Sequence, residues 1–95
     1  MAVAVILEFK GSTREQYDQV LEKMGLSHGG QGAPGGLFHW MTETGDGFRV
    51  TDVWESREKF ESFSEEQIGP YSQEVGITNP PEVTFVDVYN YLTAG

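Results

Sequence analysis

The order of apolar patterns in this 95-residue chain predicts an α+β, ferredoxin-like fold: β-α-β-β-α-β, a four-stranded antiparallel sheet with both helices on one face. Three observations carry that expectation. A β-branched apolar run opens the chain, two stretches repeat their apolar residues at helical spacing, and a pair of apolar runs flanks Gly45-Asp46-Gly47.

Ala2 to Phe9, AVAVILEF, is too short for an independent helix and reads as a first strand buried on both faces. Ser12 and Glu15 have capping-box spacing; Tyr17, Val20, Leu21 and Met24 then form one apolar stripe that Gly25 ends. Ser27 to Gly36, SHGGQGAPGG, is expected to be a loop, because its glycines and proline disfavour both helix and ladder. LFHWMTET and FRVTDVWE follow as strands two and three, and a two-residue Asp46-Gly47 turn of type I′ is expected between them. Ser56 caps a second helix carrying Phe60, Phe63, Ile68 and Tyr71, which Gly69-Pro70 breaks or kinks. After the extended Asn79-Pro80-Pro81, the segment EVTFVDVYNYL reads as the last strand. No repeat or linker divides residues 1–95, so a single domain is expected.

Composition excludes several function classes. Six Lys and Arg against fifteen Asp and Glu give a net charge of −9, which repels phosphate backbones and anionic membrane surfaces. With no cysteine there is no disulfide, thiolate nucleophile or thiolate-bound metal. His28 and His39 are the two histidines and lack shared ligand spacing, so no metal is expected. No apolar segment approaches the ~20 residues that span a bilayer, and MAVAVILEFK lacks a basic leader, so a cytoplasmic location is expected. Gly30-Gln31-Gly32-Ala33-Pro34-Gly35 matches a dinucleotide fingerprint in letters but follows a helix and leads into a strand, the wrong context for a pyrophosphate. A mobile loop at a cavity mouth is the better reading.

The residues in HWMTETGDGFRVTDVWES are unusual for a plain hairpin. An Asp46-Gly47 turn puts His39 opposite Trp54 and Met41 opposite Asp52, making His39 and Asp52 diagonal neighbours on one face. Val3, Val5, Leu7 and Phe9 suit the helix side, which sends Ala4, Ile6 and Glu8 to the face of Trp54, together with Phe48, Phe85, Asp87, Tyr89 and Tyr91; Arg49 then points to the helices. An apolar face of that size predicts closure against a second copy, a homodimer. The set also has the makeup of a small-molecule pocket, with Trp54, Tyr89, Tyr71, Phe85, Phe48 and Glu8 as substrate-binding residues. His39 and Asp52 are the candidate catalytic pair, since an imidazole beside a carboxylate is held in one tautomer suited to proton abstraction. A structural role competes: cross-strand His and Asp also serve as ordinary hydrogen-bonded groups, and Trp54 as a core or interface anchor.

Asp52-Val53-Trp54-Glu55-Ser56, running into Glu58-Lys59-Phe60-Glu61-Ser62-Phe63, resembles the dimeric α+β barrel superfamily and within it the antibiotic-biosynthesis monooxygenases. The resemblance implies a cofactor-independent oxygenase acting on an aromatic or polyketide-like molecule. It equally admits a non-redox cyclase or isomerase, or a non-catalytic ligand-binding or stress-related dimer. Heme degraders of the superfamily are similar at Trp54, but they carry an axial histidine on helix two and an asparagine on strand one; this chain has Gln73 and Ala4 there.

Overall fold

The computed structural model describes all residues from Met1 to Gly95. Strands β1 (Val3–Lys10), β2 (Gly36–Thr44), β3 (Gly47–Trp54) and β4 (Glu82–Asp87) form one antiparallel sheet in the order β2-β3-β1-β4. Helix α1 (Arg14–Met24) and a second helical segment lie on one face. That segment has three parts: α2 (Arg57–Phe63), a π-helical turn over Ser64–Ile68, and α3 (Gly69–Glu74). Architecture and element order are those expected of the ferredoxin-like fold. No helix is long and apolar enough to cross a membrane.

The local signals act where expected, with small displacements. Thr13, one residue beyond the expected Ser12, caps α1: its hydroxyl accepts from Gln16 N, and the Gln16 side chain accepts from Thr13 N at 2.9 Å. Gly25 closes the helix in the left-handed conformation, at φ 76°. Ser56 caps α2 by accepting from Lys59 N at 3.2 Å. Pro70 has no N–H to give, and the interruption falls one turn earlier, where Gly69 N reaches back to Ser64 O in the π-turn.

The hairpin departs from expectation in register and turn. Gly45 and Asp46 are the turn residues, Thr44 pairs with Gly47, and neither turn residue has positive φ, so the turn is not type I′. Gly47 is needed elsewhere: a Cβ there would land inside the carbonyl of Phe9 on the neighbouring strand. Because β3 is sandwiched between β2 and β1, this close approach claims the glycine that an isolated hairpin would place in its turn.

Burial alternates along β1 instead of covering both faces. Val3, Val5, Leu7 and Phe9 are buried, and their partners across the ladder are Trp54, Asp52, Val50 and Phe48. Directly paired residues share a face. Trp54, Asp52 and Phe48 therefore lie under the helices, not beside Ala4, Ile6 and Glu8 as the sequence reading had it. Val20, Phe60 and Ile77 complete the core from the other layer. On the opposite face Glu8 pairs with Arg49, so Arg49 also points away from the helices. That face leaves Phe38, Trp40 and Val86 exposed.

Candidate functional site

A cavity of about 790 Å³ opens between the helix-side face of the sheet and α1, the π-turn and the loop from Leu26 to Gly36. Its volume is in the range of small-molecule sites, and its walls are mostly apolar. Leu7, Val20, Met41, Val50 and Ile68 form much of the lining, and four polar side chains converge on it from three elements.

Those four make one chain of hydrogen bonds. Register places His39 on β2 directly opposite Asp52 on β3, closer than the diagonal arrangement expected, and His39 Nδ1 lies 2.6 Å from Asp52 Oδ1. Trp54, two residues along the same strand and so on the same face, donates its indole N–H to Asp52 Oδ2 at 3.0 Å. On the far side of the imidazole, His39 Nε2 lies 2.5 Å from the Tyr17 hydroxyl of α1. The Tyr17 and His39 rings are parallel within 3°, and Tyr17 packs edge-on to Phe48 at 5.5 Å between centroids. Asp52 is buried, with a side chain 7 % exposed, and both its oxygens are engaged; the His39 side chain, on the edge strand, is 41 % exposed. The carboxylate is a fixed internal anchor and the imidazole its link to the cavity.

Burial, with the nearby charges of Asp52 and Asp18, pushes the Tyr17 hydroxyl up from 10.0 to about 12. Tyr17 is therefore a neutral phenol at ordinary pH, able to donate to His39 Nε2. With the bond in that direction the imidazole proton sits on Nδ1, facing Asp52 Oδ1.

The sequence-selected residues divide sharply. His39, Asp52, Trp54 and Phe48 line the cavity. Glu8 lies on the other face, sent there by strand alternation. Phe85 is on the helix side but at the β4 edge, packed on Phe60 and beneath the Arg57 guanidinium, where it borders a separate recess. Tyr71 packs against the core from α3 and does not reach the cavity. Tyr89 follows the end of β4 and is fully exposed; Tyr91 is also outside the strand and exposed. Tyr17 is the site residue that sequence reasoning missed. Its position in the apolar stripe of α1 was visible, but a hydroxyl among core positions is the signal that could have marked it.

The loop closes part of the cavity, and His28 Nε2 lies 2.7 Å from Asp18 Oδ1, joining the loop to α1. No group of His, Asp and Glu side chains is arranged to hold a metal ion.

No protein-family model and no curated protein sequence matches the chain. Among solved structures, the fold is similar to that of a monooxygenase from the gene ActVA-Orf6 of Streptomyces coelicolor, in complex with the ligand nanaomycin D. The TM-score is 0.53 at 21 % identity, covering 99 % of this chain and 92 % of the other.

Proposed function

We propose that this protein is a homodimeric, cofactor-independent monooxygenase for an aromatic or polyketide-like molecule. One observation carries the reading: an imidazole anchored by a buried carboxylate forms part of the wall of an apolar cavity of about 790 Å³. Removal of a proton from the bound ring system, driven by the His39–Asp52 pair, leaves a carbanion able to reduce dioxygen and be oxygenated in turn. Trp54 and Phe48 supply flat apolar surface against which a ring packs. The similarity in fold to a monooxygenase holding nanaomycin D supports a cavity of this kind.

Charge narrows the substrate class. Arg14 is the one Lys or Arg in the cavity lining, and it faces Glu43 at 3.9 Å and Glu15 at 4.0 Å; Asp18, Glu43 and Asp52 also lie along the wall. No free cation is left to offset a substrate carboxylate, so neutral ring systems are favoured.

The test is oxygen uptake with a panel of neutral hydroxylated polycyclic aromatics, comparing wild type with His39→Ala. Uptake that collapses in the variant supports the reading. Turnover without oxygen uptake would reassign the cavity to a cyclase or isomerase, and tight binding without turnover to a ligand-binding protein.

A further inference from the structure

The basic nitrogen of His39 does not face open cavity. Its Nε2 lone pair is occupied by the Tyr17 hydroxyl at 2.5 Å, while Nδ1 is committed to Asp52. A substrate could reach that nitrogen only by displacing Tyr17, whose ring is held by its contacts with Phe48 and His39. Tyr17, by contrast, lines the cavity, and its hydroxyl has no protein partner besides His39. From this geometry we propose that Tyr17 is the catalytic residue that touches the substrate, taking its proton and passing its own to His39, so that Tyr17, His39 and Asp52 act as a relay.

The step balances without a co-reactant. The bond from the substrate's acidic oxygen or carbon to hydrogen breaks as Tyr17 Oη gains that proton; the Tyr17 O–H bond breaks as His39 Nε2 gains the other. The products are a substrate anion and an imidazolium whose charge is held against the Asp52 carboxylate, and Tyr17 is again a neutral phenol. It then donates a hydrogen bond to the new anion. The raised pKa of Tyr17 agrees with this role, because the free tyrosinate never has to accumulate. Trp54 positions the relay through Asp52, its indole N–H holding the second carboxylate oxygen.

The proposal rests on the cavity being an aromatic site, and 4-nitrophenol separates the two. Its affinity is read by calorimetry and its ionisation by the visible nitrophenolate band. Wild type is expected to bind it and lower its apparent pKa by about one unit, a roughly tenfold gain in ionised form. His39 Nε2 is expected to become protonated in the nitrogen NMR spectrum of the complex. Tyr17→Phe keeps the ring packing on Phe48 and is expected to bind within about threefold of wild type, which is about 0.65 kcal/mol, but to lose the shift; His39→Gln also loses it. An equal or larger shift in Tyr17→Phe overturns the relay, because His39 then acts directly. Ionised ligand beside a neutral His39 in wild type overturns it as well. Failure of wild type to bind 4-nitrophenol overturns the aromatic-site reading and the relay with it.

Discussion

Asp52 holds its two oxygens to two different tasks, and substitutions separate them. Asp52→Ala strands the buried Trp54 N–H and is expected to destabilise the fold by about 1–3 kcal/mol, read from denaturant midpoints. Asp52→Asn retains an acceptor for Trp54 but turns an amide donor toward His39, favouring the tautomer with its proton on Nε2. Stability should suffer less than in the alanine variant, yet any proton-abstraction rate should fall by roughly 10²–10⁴. Equal losses of both in the two variants would mean that the pair is structural. Tyr17 also leaves a mark on stability at high pH. Its folded pKa is raised to about 12 from 10.0, so its contribution is fully present below 10 and lost as pH rises through 12. Melting temperature should drop across that window in wild type, and Tyr17→Phe should flatten the drop.

At the scale of elements, the β2–β3 hairpin decides whether the site exists. A register shift of one residue would send His39 to the opposite face from Asp52. The hairpin end is fixed against β1 by Gly47, which lies against the Phe9 carbonyl, and by the hydrogen bond from Gly11 N to Asp46 O at 2.6 Å. Gly47→Ala is therefore expected to cost about 3 kcal/mol, the upper end of the overpacking range, and to weaken any activity that depends on the His39–Asp52 pair. Gly45→Ala, with nothing near its Cβ and no left-handed backbone, should be close to neutral. A thermal melt of the two variants side by side checks this; similar effects would sink the assignment of the turn.

At the scale of the whole molecule, the sheet face away from the helices is left uncovered, with Trp40 47 % and Phe38 53 % exposed on it. The proposed homodimer would close that face against a second copy and would bring together two chains of −9 charge. Light scattering is expected to give twice the chain mass at micromolar concentration, and Trp40→Glu to return it to one. Because like charges oppose the association, added salt should tighten it. Tightening that failed to appear would place the contact elsewhere on the surface.

The sequence by itself determined the element order, Gly25 and Ser56 as helix end signals, and the presence of Asp52 and Trp54 on a common face of one strand, while the face of His39 waited on the hairpin register. These follow from periods and end signals that act within a few residues. The stretch Asp52 to Phe63 also led, by resemblance, to the fold seen in the Streptomyces monooxygenase. Tertiary structure alone decided which face that was. Alternation along β1 put Val3, Val5, Leu7 and Phe9 toward the helices but could not say which face of β3 joins them; their pairing with Trp54, Asp52, Val50 and Phe48 did, and with it went the separation of Glu8 from Trp54, the direction of Arg49 and the location of the cavity. The inclusion of Tyr17 was decided the same way: its hydroxyl meets His39 only because α1 crosses the sheet above β2 and β3, a contact between segments whose separate patterns carry no trace of each other.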